Sequence, residues 1–375
     1  MFEFLQFFIY IVLIFLFIIM ASRLLHSLRV FAPPRRLKKP YSNDTAPTVS
    51  LCIPARNEQH VMTDCLTRAL QSTYPKLEII VLDDSSKDNT SALIKSFASE
   101  GVRFVEGSPL PKGWLGKNHA LQGLLNEASG EYILFLDVDT MLTPGAIDNL
   151  VSCAETEKVQ MVSVLPRRND GWRASVFFSP LRYFWELLFA RRLAPASSSA
   201  AWLIKREALI TRFDGFKAFR GTFRPEAHIA AELAQLHSYR FYISSADFGA
   251  SYEKKWRSQL LTSIRLLYPF FGMKRWLAIC ATLDIALLFA PFIFIIMGIF
   301  MAQPVWLFGL SLGVAFLYCA LYATYTHRVW QRGWYVGFFL WPLLVVQETI
   351  LLIASTIAHE TGKVAWKGRP IQQED

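Results

Sequence analysis

The stretch EYILFLDVDTML, residues 131–142, decides the predicted fold. Its apolar run is typical of a strand buried on both faces, and the run leads into Asp137, Val138 and Asp139. Because residues i and i+2 of a strand share a face, the two aspartates should lie together, about 7 Å apart. Two carboxylates this close repel each other unless a positive charge lies between them. The pair is therefore either a site for a divalent cation or a harmless solvated turn.

Upstream of this stretch, apolar segments alternate with segments of helical periodicity. The apolar segments are residues 47–55, 77–86 and 102–107, and the helical ones are 57–73, 88–99 and 117–128. Such alternation predicts an α/β domain with a mostly parallel sheet covered on both faces. Ligands of such sheets bind at the carboxyl ends of the strands. Three segments end there in polar motifs: PARNE (54–58), LDDSS (82–86) and LDVD (136–139).

The polar residues at these strand ends suit a nucleoside diphosphate. Asp83 and Asp84 are acceptors for an imide N–H or for ribose hydroxyls, and Arg56 and Lys117 offer positive charge to phosphate. Paired carboxylates suit a hard cation such as Mg²⁺ or Mn²⁺. Neither a G-x-G-x-x-G motif after the first strand nor a P-loop motif occurs in the sequence, which argues against dinucleotide and P-loop sites.

The remaining sequence is strongly apolar. The chain is 53% hydrophobic, and residues 4–21 together with about 281–302, 304–325 and 334–358 are long enough to cross a bilayer. The last candidate contains Pro342, Gln347 and Glu348, which raises the alternative of a re-entrant or interfacial segment. The domains we predict are an N-terminal transmembrane anchor (1–28), a basic juxtamembrane linker (29–46), the α/β domain (47–250, with an interfacial segment at 172–193), an amphipathic interfacial segment (251–280), transmembrane helices (281–358) and a basic tail (359–375).

The net charge of +9 is concentrated beside the apolar segments, so we expect it to face a membrane surface and not nucleic acid. Basic residues after the first span predict that the central domain is cytoplasmic. The five cysteines form no close pair and no metal-binding spacing, which fits a reducing compartment. The sequence does not indicate an oligomeric state.

In order and spacing, PARNE, VLDDSSKDNT (81–90), GWLGKNHAL (113–121) and LFLDVD (134–139) resemble the family 2 glycosyltransferases of GT-A fold. The resemblance covers residues 47–250. The anchor, the C-terminal spans and TGKVAWKGR (361–369) look like the membrane-bound branch that contains carotenoid-acid and hopanoid-associated glycosyltransferases. The resemblance implies an integral protein of a bacterial plasma membrane that uses a nucleotide-sugar donor, with UDP-sugars favoured.

The resemblance also implies roles for individual residues. The donor-binding set would be Pro54, Ala55, Arg56, Glu58, Asp83, Asp84, Lys117 and Asp137, with Asp84 meeting the base and Lys117 approaching the diphosphate. Asp137 and Asp139 would hold Mg²⁺ or Mn²⁺ against the diphosphate oxygens. Trp256 and Arg257, in an imperfect match to a Q-x-x-R-W motif, would close over the diphosphate or would simply meet lipid headgroups.

The general base is less clear from the sequence. Inverting members of the family use an acid of a Glu-Asp motif, but FRGTFRPEAHIAAELAQL (219–236) contains no such pair. Glu226 fits by position, at the start of a predicted helix, and it could equally be an acid that only interacts with the helix dipole. His228 is the alternative base because its ordinary pKa lies nearer the operating pH.

The acceptor is expected to be a membrane lipid. The segments 172–193 and 253–276 interleave aromatic and basic residues, so they shape an entry for a lipid or only seat the domain on the membrane. Residues 194–209 should lead from a small-residue loop into an edge strand. We predict an inverting, metal-dependent transfer of one sugar to a lipid hydroxyl or carboxyl. The alternatives are a processive polysaccharide synthase, a nucleotide-sugar-binding membrane protein without catalysis, and a transporter.

Overall fold

The computed structural model of the chain describes residues 2–30, 44–169, 177–179, 181–188, 190–191, 193–300, 303–330, 334–366 and 369–370. In the first helix, side chains are described at residue 7 and from 11 to 26. Much of the predicted linker 29–46, part of the segment 172–193 and most of the tail after residue 366 lie outside the described residues. The chain divides into a helical unit, drawn from residues 1–32, 170–189 and 254–364, and a sheet unit, drawn from 33–169, 190–253 and 365–375.

The strands of the described residues are short. They are β1 (Val49–Ala55), β2 (Leu77–Asp83), β3 (Val102–Glu106), β4 (Tyr132–Leu136), β5 (Thr140–Leu142), β6 (Met161–Leu165), β7 (Arg167–Arg168), β8 (Ala201–Lys205), β9 (Tyr239–Ile243), β10 (Ala250–Tyr252), β11 (Ala365–Trp366) and β12 (Arg369–Pro370). In this part of the chain, seven of them form one sheet in the order β3-β2-β1-β4-β8-β6-β9. Neighbours are parallel except at β8, which is antiparallel to both β4 and β6. The predicted α/β fold with a mostly parallel sheet is confirmed.

The helices are also taken in chain order. They are α1 (Phe2–Val30), α2 (Met62–Leu70), α3 (Thr90–Ser96), α4 (Gly116–Glu127), α5 (Ala146–Glu157), α6 (Arg182–Leu188), α7 (Arg206–Thr211), α8 (Pro225–Gln235), α9 (Trp256–Phe270), α10 (Arg275–Leu287), α11 (Ala290–Phe300), α12 (Val305–Val329) and α13 (Trp334–Glu360). Two single 3₁₀ turns, Ala98–Glu100 and Lys217–Phe219, are also present.

The central sheet is buried on both faces. Helices α2, α3 and α5 cover one face, where they pack on alternate strand residues such as Leu51 and Leu134. Helices α4, α7 and α8 cover the other face, over Cys52 and Phe135. All five positions of β4 are buried, which explains why its sequence is a continuous apolar run and not an alternating one.

The prediction of an edge strand after residue 200 is wrong. Strand β8 lies between β4 and β6, in the interior of the sheet. The residue that accounts for this position is Trp202, which is fully buried and packs with its ring centroid 4.4 Å from that of Phe135. A strand with apolar side chains on both faces gains more from burial in the interior of a sheet than at its edge.

The C-terminal half of the helical unit contains the predicted long apolar helices. In the described residues, three helical stretches are long and apolar enough to cross a membrane: Arg275–Phe300, Val305–Val329 and Trp334–Glu360. The prediction of three such helices is confirmed, although the first begins earlier than the predicted residue 281. The last is continuous through Pro342. In α1 the apolar helix identified is the shorter Ile11–His26, so its role as a transmembrane anchor stays a prediction.

Candidate active site

The register of the sheet brings the predicted strand ends to one edge. Ala55, at the end of β1, pairs with Asp83, at the end of β2. On the other side of β1, Cys52 pairs with Phe135 near the end of β4. Ala55 and Asp83 are buried and Pro54 is half-buried. The polar motifs that follow these three strands are therefore neighbours, as the sequence predicted for a parallel sheet.

The loops after β1 and β2 are joined by hydrogen bonds. The amide of Asn57 donates to the Ser86 hydroxyl at 2.9 Å, and the Asn57 side-chain oxygen accepts from the amide of Lys87 at 2.8 Å. The amide of Glu58 donates to the Thr90 hydroxyl at 2.8 Å. Asn57 has a left-handed φ of 51°, a conformation that asparagine adopts more readily than most residues. These bonds hold the two motifs as one rigid wall.

Arg56 lies beneath this wall and not on its surface. Its guanidinium is 5% exposed, donates to the backbone carbonyls of Asp84 and Ser85, and lies 3.8 Å from the Asp84 carboxylate, which is itself almost fully buried. The Asp83 carboxylate accepts hydrogen bonds from the amide and hydroxyl of Ser86. In this structure, much of the charge of Arg56 is compensated by Asp84, so both residues contribute to the shape of the pocket wall.

Asp88 completes the joined loops. Burial would raise the pKa of its carboxyl, but hydrogen bonds from the hydroxyl and amide of Thr90 and from the amide of Gln59 outweigh it and lower the pKa below the usual range. A carboxyl with a depressed pKa contributes its stabilisation fully above the ordinary value for aspartate and loses it as the pH falls through the lowered one. These contacts are therefore intact at neutral pH.

The two aspartates of the opening stretch lie in a turn and not in the strand. Strand β4 ends at Leu136, and the amide of Thr140 donates to the carbonyl of Asp137 at 2.9 Å across the turn. Val138 is buried, whereas Asp137 and Asp139 on either side of it are partly exposed. The prediction that both lie on the strand itself is wrong, because β4 ends at Leu136 and the chain turns before β5 begins, but both side chains remain partly exposed.

Lys117 supplies the positive charge that the acidic pair requires. Its Nζ lies 2.6 Å from Oδ1 of Asp137, and both side chains are about one-quarter exposed. Lys117 is in the first turn of α4, where the free backbone amides of the helix also favour anions. A lysine and a helix N-terminus beside Asp137 have the chemistry that a diphosphate requires.

A divalent cation fits these residues by the chemistry of their oxygens. In the described part of the chain, no group of three or more His, Cys, Asp or Glu side chains is arranged to hold a metal. From the residues that the structure describes, a cation bound here would have only two protein ligands, the carboxylates of Asp137 and Asp139. The oxygens of a bound diphosphate would complete its coordination. Mg²⁺ is commonly bound in this way, by one or two carboxylates together with phosphate oxygens.

The candidate base Glu226 is held in the first turn of α8. Its side chain is 3% exposed, and its Oε1 lies 3.3 Å from Nε of Arg224. Arg224 also donates from Nη2 to the hydroxyl of Ser197 at 2.8 Å. Three residues further along that loop, the carbonyl of Ala200 accepts from the amide of Asp137 at 2.9 Å. The acid that we expect to act as base and the acidic turn are thus fastened to one loop, residues 197–200.

The other candidates are placed differently. His228 is exposed on α8, with its ring centroid 6.1 Å from that of Phe219. Trp256 and Arg257 are exposed in the first turn of α9 and belong to the helical unit. Their predicted role in closing over the diphosphate stays a prediction.

Two residues that organise the site, Asn118 and Arg224, were not predicted from the sequence. The side chain of Asn118, fully buried, donates to the carbonyls of Phe219 and Thr222 at 2.6 and 2.7 Å and so ties the start of α4 to the loop before α8. Arg224 links Glu226 to Ser197. Both stand beside residues that the sequence analysis did select, Lys117 and Glu226, but their carbonyl and hydroxyl partners are far away along the chain.

An α/β sheet with acids, a lysine and a helix N-terminus at its carboxyl edge is an arrangement typical of nucleotide-binding domains. More particularly, residues 50–213 match the model of the family described as Glycosyl transferase family 2.

Relatives of known sequence match about a third of the chain. An Uncharacterized protein MT1568 of Mycobacterium tuberculosis is 32% identical over 129 residues, which are 34% of this chain and 39% of that protein. An undecaprenyl-phosphate 4-deoxy-4-formamido-L-arabinose transferase of Shewanella sediminis is 30% identical over 132 residues, 34% of this chain and 40% of that protein. The chain thus spans about two-fifths of the length of these relatives.

Among solved structures, the mannosyltransferase PcManGT from Pyrobaculum calidifontis, in complex with GDP-Man and Mn²⁺, is similar over 94% of this chain and 98% of that chain, with a TM-score of 0.57 and 19% identity. At this identity, the similarity concerns the fold.

Proposed function

We propose that the chain is an inverting, metal-dependent glycosyltransferase that moves one sugar from a nucleotide-sugar, with UDP-sugars favoured, to a hydroxyl or carboxyl of a membrane lipid. The observation that carries the proposal is the acidic turn 137–139 with Lys117 beside it, fastened through the loop 197–200 to the buried acid Glu226. An acid near a diphosphate site is the arrangement that a single inverting displacement needs.

The donor pocket follows from the two joined loops. Pro54, Ala55 and Glu58 on one loop and Asp83 and Asp84 on the other would line the space for the base and ribose. The hydrogen bonds between the loops hold this pocket before the donor arrives, which reduces the ordering cost of binding. Arg56 would act from beneath by fixing the carbonyls of Asp84 and Ser85.

The charged groups of the reaction would lie near Glu226, Lys117 and the start of α4, away from the loops that would bind the base and ribose. Glu226 would take the proton of the acceptor hydroxyl or carboxylic acid, and the acceptor oxygen would bond to the anomeric carbon as the bond to the diphosphate breaks. Lys117 and the N-terminus of α4 would stabilise the negative charge on the departing diphosphate. A Mg²⁺ or Mn²⁺ held by Asp137 and Asp139 would supply further electrophilic stabilisation of that charge.

A lipid acceptor and an integral membrane location are supported by the three long apolar helices and by the lipid-phosphate named for the relative from Shewanella sediminis. We place the sheet unit on the cytoplasmic side of a bacterial plasma membrane because basic residues follow the first apolar segment.

Membranes from cells that produce the chain test this proposal directly. They are incubated with radiolabelled UDP- and GDP-sugars and Mn²⁺, and the lipid extract is separated by chromatography. We expect one donor to label a lipid with a single sugar, and Asp139→Ala to abolish the label. A labelled polymer would instead identify a processive synthase, and donor binding without any labelled product would identify a non-catalytic binding protein.

A further inference from the structure

The helical unit contains a cavity of about 350 Å³ among α1, α6, α9, α10, α12 and α13. This volume is at the lower end of the range for small-molecule sites. Most of its walls are apolar or aromatic, with Phe184, Leu267, Ile285 and Leu321 contributed by four different helices. A cavity of this kind suits a hydrocarbon chain.

Polar atoms without hydrogen-bond partners among the described residues line the same cavity. They are Nε and Nη1 of Arg182, the hydroxyl of Tyr318, Nε1 of Trp341 and Oε1 of Glu348. Glu348 is fully buried, and Tyr318 and Trp341 are each 1% exposed. Buried polar groups are nearly always paired, because an unpaired one costs free energy. Four such side chains around one cavity therefore indicate a polar group that binds among them.

Glu348 and Arg182 have other contacts that fix their positions without involving the unpaired atoms in hydrogen bonds. The second oxygen of Glu348, Oε2, accepts a hydrogen bond from the amide of Leu181 at 3.2 Å. Nε of Arg182 lies 3.9 Å from Oε1 of Glu186, which is an ion pair but too long for a hydrogen bond. The guanidinium of Arg182 also stacks 4.3 Å from the ring of Tyr183. The indole of Trp185 also lies beside the Glu348 carboxylate. The carboxylate and the guanidinium are thus held in place, while Oε1 of Glu348 and two donors of Arg182 make no hydrogen bond of ordinary geometry.

The charges and hydrogen-bonding atoms of the cavity wall indicate which polar head group of a ligand would fit. The walls carry one cation, Arg182, against two acids, Glu348 and Asp284, so they offer no net positive charge for a phosphate. The unpaired donors of Arg182, Tyr318 and Trp341 require an oxygen acceptor, and Oε1 of Glu348 requires a hydrogen to accept. A hydroxyl or an uncharged carboxylic acid can meet both requirements, whereas a phosphate dianion cannot.

We propose that this cavity binds an amphiphile whose apolar chain ends in a hydroxyl or carboxylic acid group, with that group between Glu348 and Arg182. The proposal rests on the proposed function only in identifying this amphiphile with the sugar acceptor. The proposal that the cavity binds such a lipid is argued only from the residues that line the cavity.

Photolabelling of the full-length protein in phosphatidylcholine nanodiscs tests the site. The probes are palmityl alcohol, palmitic acid and palmityl phosphate, each with the same diazirine on its chain, and the labelled peptides are identified by mass spectrometry. We expect the alcohol or the acid to label α6 and α13 about tenfold more than the phosphate does, and the ratio of the first two identifies the head group.

Variants separate binding from structure. Glu348→Met removes the acceptor oxygen, and Ala281→Phe fills the cavity while leaving its polar atoms intact; both should reduce labelling about tenfold. Glu348→Gln keeps an acceptor oxygen, and Gln347→Met alters the neighbouring residue of α13, which does not line the cavity. Both of these variants should label like the wild type. A buried carboxylate of purely structural role could be replaced by methionine with little effect on binding or with a gain in stability.

The proposal is overturned if palmityl phosphate labels α6 and α13 as well as the other probes do, or if Glu348→Met labels like the wild type. Failure of the proposed function is a separate result, because Asp139→Ala lies in the sheet unit and should leave photolabelling unchanged. Labelling that survives without any sugar transfer would leave the lipid site in place and remove only the assignment of its occupant as an acceptor.

Discussion

The contact between Lys117 and Asp137 is the residue-scale feature with the most direct consequence for metal binding. Nζ lies 2.6 Å from Oδ1, so without a ligand the lysine occupies an oxygen that a cation would use. When a diphosphate binds, its oxygens offer the lysine an alternative partner, and Asp137 is released to the cation. Metal and donor should therefore bind with positive coupling.

Lys117→Met should separate the two roles of the lysine, which are its competition with the cation for Asp137 and its pairing with the diphosphate. Because the competing charge is lost, the protein without nucleotide should bind Mn²⁺ several-fold more tightly, as expected for a partly exposed ion pair worth about 1 kcal/mol. Sugar transfer should nevertheless fall about tenfold or more, because the departing diphosphate loses a positive charge. Titration of Mn²⁺ followed by electron paramagnetic resonance checks the first effect. Lys112→Met is the matched control, and unchanged Mn²⁺ affinity in Lys117→Met would contradict the account.

Glu226→Gln should slow transfer about 100-fold or more while leaving nucleotide affinity unchanged, because a general base contributes to the chemical step and not to donor binding. The measurement is kcat for transfer beside the Kd for the nucleotide. His228→Asn is the comparison, since His228 is the alternative base and lies exposed on the same helix. If His228→Asn carried the larger loss in kcat, the assignment of Glu226 would be wrong.

At the scale of elements, the edge of the donor pocket depends on a close approach of two strand ends. The amide of Gly107, just after β3, donates to the carbonyl of Asp83 at 2.9 Å. A Cβ at position 107 would lie 2.7 Å from that carbonyl oxygen, which is backbone and cannot rotate away. The end of β2, and with it the position of Asp83 and Asp84, therefore requires glycine at this position.

Gly107→Ala should destabilise the protein by about 1–3 kcal/mol and weaken nucleotide binding, because the end of β2 must shift. Thermal unfolding followed by circular dichroism measures the first effect. Gly145→Ala is the matched control, since a Cβ there meets nothing within 4 Å and Gly145 has no left-handed φ. Equal melting temperatures for the two variants would show that the close approach at Gly107 does not affect the free energy of unfolding.

The sequence predicted the elements better than their ends and partners. The apolar runs of β1, β2 and β4 identified strands whose carboxyl ends lie together, because burial on both faces leaves a clear pattern. The end of β4 at Leu136 was missed because the acidic turn begins where the apolar run is still continuing with Val138. The interior position of β8 could not be predicted, since it depends on the packing of Trp202 against Phe135.

The same limit applies to the candidate site. Lys117 and Asp137 were both selected from the sequence, but their direct contact across 20 positions of the chain was not. Arg224 was not predicted at all, because its role is a hydrogen bond to Ser197, which is 27 residues away in the sequence. Local patterns report strand ends and helix starts, whereas contacts between distant loops are created only when the sheet assembles.

At the scale of the whole molecule, the cysteines report on the packing of both units. Cys52, Cys65, Cys153 and Cys319 are buried, and Cys280 is exposed on the apolar helix α10. Burial raises the pKa of Cys65 to about 12 and that of Cys153 to about 11, so neither is a thiolate at neutral pH. In nanodiscs at neutral pH we expect an apolar maleimide to modify Cys280 alone.

Mass spectrometry of the labelled protein checks this expectation, and denatured protein, in which all five thiols should react, is the positive control. A Cys280→Ser variant should then remain unlabelled while folded. Rapid native labelling of Cys52 or Cys65 would contradict the close packing of the sheet unit described above.

The central claim is that Asp137 and Asp139 hold a cation against a nucleotide diphosphate, and binding of nucleotide-sugars by the purified protein with and without Mn²⁺ tests it most directly. The panel contains UDP- and GDP-sugars, and Asp139→Ala is compared with Asp64→Ala, an aspartate exposed on α2. The account predicts Mn²⁺-dependent binding of one nucleotide-sugar by the wild type and by Asp64→Ala, and its loss in Asp139→Ala. Binding that does not depend on Mn²⁺, or that survives in Asp139→Ala, would contradict the account and leave residues 137–139 as a solvated turn.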